Sequence, residues 1–460
     1  MQLPHPVSIP TRADLRDLIS LALPVVVVQL GLMMMGVVDT MMVGRVSAEA
    51  LGAVALGSIF FFLIAVTGMG TLMALDPLVS QAVGAGDDEG VARALQRGIL
   101  LALGMSVPVM LGLGLVRPVL GLLGQPPELI GPASRYIYLI IPGLTPFYLF
   151  IVGRQTLQSM GRIAPVVIVT VVGNLVNVGL NWALIFGHLG SPALGVSGAA
   201  LATTLSRWFL AAALLVAGWK ELLPRLRPWR RASLELRPLG RMLRLGLPIG
   251  GQMFLEYGIF GLIGVLMGRV GTLAVAGHMI ALNLAAVVFM VPQGTGAAAA
   301  VLVGQAVGSA DLTRARRAAA AAILVGAGFM IVSAAAFLLA PEALARLYTP
   351  ERSVLDVAVT LVRLGGLFAI FDGLQAVAIG ILRGIGDTRA PVAINVLGFW
   401  LIGLPVSLLL AFPLGLGPAG LWWGLVLGLA VVAVVLLLRV RVRFRGEVRR
   451  LHIEHPVTAA

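Results

Sequence analysis

The sequence predicts an all-α polytopic membrane protein of twelve transmembrane helices, arranged as two pseudo-symmetric lobes of six. Three observations lead there. Of its 460 residues, 59% are hydrophobic and only 12% are charged, with a mean hydropathy of +1.01, against about 25% charged in an ordinary soluble domain. The apolar residues fall into runs long enough to cross a bilayer, which takes roughly 20 residues per helix. Two stretches of the chain also match each other at one constant offset. No room is left for a large soluble domain, so soluble enzyme folds are excluded.

Each span is bounded by charge, Gly/Pro or polar clusters. The first, 18–42, follows Arg12 and Arg16 and stops before Arg45. The second, 51–78, precedes Arg93 and Arg97, where the third, 93–116, begins before ending at Arg117. The fourth, 132–155, has Arg135 near its start and Arg154 at its end. The fifth, 164–187, follows Arg162, and the sixth, 195–219, runs into eight cations from Lys220 to Arg244. In the second half, 242–267 stops at Arg269, and 275–301 precedes Arg314, Arg316 and Arg317. Span 317–340 precedes Arg346 and Arg352, while 355–381 has Arg363 near its start and Arg383 at its end. The last two are 391–412, after Arg389, and 417–438, which meets six arginines from Arg439 to Arg450.

Sorted by side, 25 of the 33 Arg and Lys fall with the termini and even-numbered loops and seven on the opposite side, leaving Arg207 inside the sixth span. The positive-inside rule then puts both termini and the 220–244 loop in the cytoplasm. The net charge of +13 thereby reads as topology and contact with membrane lipid headgroups, with no nucleic acid partner. There is no Cys, so disulfides and thiolate metal sites are impossible, and the five His lack paired ligand spacing. The N-terminus has no basic-then-apolar leader with a small-residue cleavage site, so the first span is expected to stay in the mature protein.

Segments 24–93 and 248–317 match at an offset of 224 residues. Pro24 pairs with Pro248, Gly44-Arg45-Val46 with Gly268-Arg269-Val270, Gln81-Ala82-Val83-Gly84 with Gln305-Ala306-Val307-Gly308, and Asp87 with Asp311. Six helices separate the copies, so the halves share one orientation, as in transporters whose substrate path runs between two bundles. The expected organisation is an N-lobe at 1–219, a basic linker at 220–244, a C-lobe at 245–440 and a tail at 441–460. At this offset Asp39 faces Ile263 and Glu256 faces Leu32. Between spans four and ten an offset of 226 sets Pro146 against Asp372. Scaffold positions are duplicated and the acids are not, which marks the acids as lobe-specific function.

Among the 20 acids, Asp39, Asp76, Glu256 and Asp372 lie within spans and past their first turn, and an ionisable group in hydrocarbon is a functional candidate by default. Glu256 lies about 18 Å of helix from Arg244, and Asp372 lies between Arg363 and Arg383, so both come out near mid-membrane. Such a pair could hold a cation or share a proton; the alternative is a pair of acids neutralised by local hydrogen bonds. Asp39 sits in the outer half, about 34 Å of helix from Arg16. Asn174, Asn177 and Asn181 occupy one face of the fifth helix, and Thr203 has a comparable depth. Together they offer oxygen ligands for a hard monovalent cation or a relay to a proton-carrying acid, or the asparagines serve as interhelical glue. Asp76, near a helix end, reads as a cap or headgroup contact. Arg207 lies one turn from Thr203, lining a cavity or neutralising an acid whose identity the sequence does not show. Met33-Met34-Met35 and Met41-Met42 are either an adaptable substrate surface or core and lipid contacts. With no nucleotide-binding Gly-Lys loop and no catalytic constellation, coupling to an ion gradient is the economical energy source, and no enzyme is expected.

On Val38-Asp39-Thr40-Met41-Met42-Val43-Gly44-Arg45, Gln81-Ala82-Val83-Gly84-Ala85-Gly86, Gly246-Leu247-Pro248 followed by Glu256, and Leu382-Arg383-Gly384-Ile385-Gly386-Asp387-Thr388 with Pro391, the chain resembles the multidrug and toxic compound extrusion (MATE) family, most of all its NorM-type bacterial branch. The likeness covers about residues 14–440. It implies two six-helix lobes around a central cavity open alternately to each side, in a multi-pass protein of the cell inner membrane. It also implies export of organic cations and amphiphilic drugs in exchange for Na+ or H+, with no other cofactor. By the same likeness, Glu256 and Asp372 form a C-lobe cation site able to take Na+, and Asp39, Asn177, Asn181 and Thr203 form an N-lobe cation or proton site. Asn181 stands where some members have Asp, and Phe368 where a Tyr is frequent. Asn174, Arg207, Phe368 and Met33 are further cavity-lining candidates, and a monomer is expected. A lipid-linked precursor flippase of the same superfamily is the rival reading. It calls for several basic residues deep in the spans, where the sequence shows only Arg207.

Overall fold

The computed structural model describes residues 9–454. Twelve helices among them are long and apolar enough to cross a membrane: α1 (Arg12–Val43), α2 (Ala48–Gly84), α3 (Asp88–Gly114), α4 (Pro127–Ser159), α5 (Ala164–Phe186), α6 (Val196–Ala217), α7 (Leu236–Val270), α8 (Thr272–Gly308), α9 (Leu312–Leu339), α10 (Arg352–Gly384), α11 (Arg389–Ala411) and α12 (Gly417–Arg445). Every expected span is there, and most run longer than the apolar stretch alone, because polar caps extend helices past the hydrocarbon. Ser47 caps α2 by accepting from Ala50 N at 3.0 Å. Asp87 and Asp311 cap α3 and α9 by accepting from Gly90 N at 2.7 Å and Arg314 N at 2.8 Å, each satisfying an amide that the first helical turn leaves open.

Those two caps sit 224 residues apart, so the sequence repeat is a structural repeat. Before each cap the chain turns through a left-handed residue, Gly86 at φ 68° and Ala310 at φ 58°. The same backbone bond closes both turns, Asp87 N to Ala82 O and Asp311 N to Ala306 O, each 2.9 Å.

The compact units cut the chain differently from the lobes expected at 1–219 and 245–440. Among the described residues, one unit comprises those up to Val26 with Gly251–Leu451; the other comprises Val27–Gly250 with residues 452–454. α1 and α7 are therefore each shared, and the two cuts again differ by 224. Each falls two residues beyond a repeated proline, Pro24 or Pro248, where the helix lacks one backbone donor. The early part of α7 is claimed by α2: Gly246 and Gly250 let their backbones approach Thr71 O and Thr67 O, where any Cβ would collide. Residues 220–244, expected as a linker, hold two short helical turns, Trp219–Leu226 and Arg231–Leu234, before α7 starts at Leu236. The tail expected from 441 begins as the last turn of α12; its residues 455–460 lie outside the described part.

In the unit holding α8–α12, Phe260, Phe368, Phe399 and Trp422 meet edge to face at 5.6–6.1 Å. In the unit holding α2–α6, Leu72, Leu75, Ile137, Tyr148 and Phe150 are buried. Large apolar side chains such as Leu111, Leu175 and Val332 are exposed, as a lipid solvent permits.

Candidate functional site

Two carboxylate clusters lie inside the spans, one in each unit. In the first, α1 brings Asp39 against α5 and α6. Asn181 Nδ2 donates to Asp39 Oδ1, and Thr203 Oγ1 donates to Asp39 Oδ2 at 2.9 Å. Asn177 stands one step back: its Oδ1 accepts from Asn181 Nδ2 at 3.2 Å. Asp39, Asn177, Asn181 and Thr203 are all buried, so the four residues grouped by depth do converge. Asn174 does not join them, since its Nδ2 is spent on Thr170 O of its own helix at 2.9 Å. Met33 is half-buried two turns down α1.

In the second cluster, Glu256 of α7 accepts from Gln375 Nε2 of α10 at 3.0 Å and is also hydrogen-bonded by Gln252. Asp372, buried one turn before Gln375, lies within electrostatic range of Glu256. Phe368, one turn further back, is in the aromatic core against Phe260 and Trp422. Gln252 and Gln375 carry no charge and so do not stand out in an apolar span as the acids do. The signal was available: they stand at i−4 from Glu256 and i+3 from Asp372, on the faces those acids share.

The two clusters are not copies of one another in the repeat, yet they are built alike. Each pairs a carboxylate, buried at Asp39 and half-buried at Glu256, with an amide that donates to it, and each leaves that amide's oxygen, Asn181 Oδ1 or Gln375 Oε1, buried with no hydrogen-bond partner among the described residues. None of Asp39, Glu256 and Asp372 joins an ion pair among the described residues. A buried unpaired acceptor beside a carboxylate is costly and chemically suited to a small cation or a proton.

Arg207 is not the only basic residue deep within a span. Arg154 of α4 is 6% exposed and Arg97 of α3 is fully buried. The sequence reading placed both at helix ends, but α4 runs on to Ser159 and α3 starts at Asp88, so each lies inside its helix. Both have fixed partners: Arg154 donates to Gln29 Oε1 at 3.0 Å, and Arg97 forks onto Glu454 at 2.8 and 3.2 Å.

A family profile described as MatE matches residues 24–183 and 248–409, one block in each half. The chain belongs to the MatE family. Within it, a Bradyrhizobium diazoefficiens protein named probable multidrug resistance protein NorM is 37% identical over 439 residues, covering 93% of each chain. The Pseudomonas aeruginosa multidrug resistance protein PmpM is 36% identical over 456 residues, with 95% of this chain and 94% of that one covered. Among solved structures, the eukaryotic MATE transporter AtDTX14 superposes with a TM-score of 0.86 at 25% identity, over 94% of this chain and 98% of that one. The Vibrio cholerae MATE transporter VcmN shares the fold with a TM-score of 0.82 at 20% identity, covering 94% and 97%.

Proposed function

We propose that this MatE protein is a secondary active multidrug efflux transporter, exporting organic cations and amphiphilic drugs in exchange for Na+ or H+ across the cell inner membrane, with both termini cytoplasmic. Its relatives are named for multidrug resistance, which supports drugs as the substrate class. The observation that carries the coupling reading is the shared construction of the two clusters: a carboxylate inside a span, without an ion-pair partner among the described residues, beside an amide with an orphaned oxygen. A half-turn of the Asn181 or Gln375 amide exchanges its donor for an acceptor. The carboxylate can then be a hydrogen-bonded anion in one state, and a protonated acid or cation ligand in the other. The coupling ion is cargo in this scheme, moving one way as the drug moves the other.

The flippase reading is disfavoured by the fate of the buried arginines. A polyanionic headgroup needs several basic groups free to meet it, while Arg97 is committed to Glu454 and Arg154 to Gln29.

The test is drug efflux from inside-out vesicles with a Na+ or a pH gradient imposed separately. Glu256→Gln and Asp372→Asn should each abolish ion-driven efflux at near wild-type expression, because removing a charge from a span lowers its insertion cost. The double variant should be little worse than either single one. Wild-type efflux in both single variants would refute the C-lobe site.

A further inference from the structure

Arg207 has an arrangement that transport through Asp39 alone does not explain. It leaves α6 one turn after Thr203, and its guanidinium carbon lies 4.2 Å from the centre of the Phe61 ring of α2 and 5.1 Å from that of Phe147 of α4. The passage for its stem is built into α4. That helix breaks into a tighter turn at Ile141–Gly143, where a Cβ on Gly143 would sit 3.2 Å from both Arg207 Cδ and Thr204 Cα. Thr204 Oγ1 donates to Leu139 O at 2.7 Å, giving a partner to a carbonyl beside the break.

Thr203, one turn before Arg207 on α6, donates to Asp39 of α1, and the guanidinium lies within electrostatic range of Asp39 and of the Tyr136 and Tyr148 phenols of α4. The phenols are engaged elsewhere, Tyr136 with Ser58 at 3.3 Å and Tyr148 with Ala65 O at 2.9 Å. Arg207 Nη1 is buried with no hydrogen-bond partner among the described residues. Arg207 thus stands one turn from the residue that holds Asp39 and yet, among the described residues, no ion pair joins the two. Stacking over two rings offsets part of the cost of a buried cation and holds the charge back from the carboxylate.

We infer that Arg207 is a fixed counter-charge for Asp39, kept off the carboxylate by Phe61 and Phe147 so that the site stays open to the coupling cation but binds it weakly enough to let it go. A tethered positive charge lowers the affinity of the site for any arriving cation. Without the rings the guanidinium could close onto Asp39 and occupy the site itself. Arg207 is accordingly a positioning residue that tunes affinity, and its role rests on the reading of Asp39 as a cation site.

The experiment is ethidium efflux from proteoliposomes, titrated with whichever cation drives the wild type. In Arg207→Gln and Arg207→Met the half-saturating cation concentration should fall on the order of tenfold, the effect of one unit charge acting beyond contact distance at an effective dielectric of about 20. Arg207→Lys, which keeps the charge, should stay within about twofold of wild type. Phe61→Leu should move the midpoint the opposite way, because it frees the guanidinium to pair with Asp39. An unmoved midpoint in both neutral variants overturns the inference. So does their failure to accumulate in the membrane, since the guanidinium would then be packing rather than counter-charge. Asp39→Asn, run alongside, separates the two readings. Normal cation-driven efflux in that variant overturns the Asp39 site itself. Lost efflux there, with an unmoved midpoint in Arg207→Gln, overturns the counter-charge alone.

Discussion

Asn174, Asn177 and Asn181 share one helical face, and spacing by three and four residues cannot say which of them reaches a neighbouring helix. The structure ranks them. Asn181 donates directly to Asp39, Asn177 supports Asn181, and Asn174 bonds back to its own helix. Efflux under an imposed ion gradient, at matched protein levels, should therefore fall most in Asp39→Asn, strongly in Asn181→Ala and mildly in Asn177→Ala, with Asn174→Ala near wild type. Thr203→Ala should resemble Asn181→Ala, since each strips one carboxylate oxygen of its donor, a loss of about 1–3 kcal/mol for a buried group. A severe Asn174→Ala beside a silent Asn181→Ala would contradict this ranking. Depth arithmetic was enough to bring Asp39, Asn177, Asn181 and Thr203 together, because helical rise is regular. It could not find Gln252 or Gln375, whose amides carry no charge, nor the Phe61 and Phe147 rings that seat Arg207, because aromatic residues are ordinary in any apolar helix.

At the scale of elements, the twelve spans were legible because hydrocarbon thickness and backbone hydrogen bonding leave a helix no alternative. The repeat was legible because it duplicates turns and caps. What it hid is that its two copies spend different residues on the same left-handed turn, Gly86 in one and Ala310 in the other. A left-handed conformation costs an L-residue with a side chain roughly 1–2 kcal/mol, and a Cβ at Gly86 meets nothing within 4 Å, so backbone strain alone decides the exchange. Gly86→Ala should destabilise by about 1 kcal/mol. Ala310→Gly should be neutral to stabilising, because relief of strain offsets the extra freedom glycine brings to the unfolded chain. Thermal unfolding of the detergent-solubilised protein checks both, and the opposite order of melting temperatures would refute the strain argument.

For the whole molecule, the 25-to-7 charge asymmetry predicts that reporter fusions at Arg231 and after the last residue are cytoplasmic, and one near Ser191 is external. A periplasmic reporter at Arg231 would overturn the orientation. The compact units divide inside α1 and α7, a division that sequence does not show, since a proline inside a long apolar run says where a helix is weak and not which neighbour takes each part. Residues 452–454 belong to the unit that holds α2–α6, and there Glu454 receives Arg97 at 2.8 Å and Arg93 at 3.0 Å while Arg241 donates to Ile453 O at 2.7 Å. Burial alone would raise the Glu454 carboxyl, but the hydrogen bond and charge of Arg97, with Arg93 behind them, hold it below the ordinary glutamate value. A carboxyl depressed in the folded state stabilises the protein above its unfolded pKa, and that contribution disappears as pH falls through the lower, folded one. Glu454→Gln should therefore melt below wild type at neutral pH, since the fully buried Arg97 loses the anion that neutralises it. The gap should hold from neutrality down to about pH 5 and close on further acidification, as the wild type loses the same pair by protonation. Melting curves of the two proteins across that range are the measurement. A gap that persists unchanged through the carboxyl range would mean that Glu454 holds the tail by packing and not by its charge.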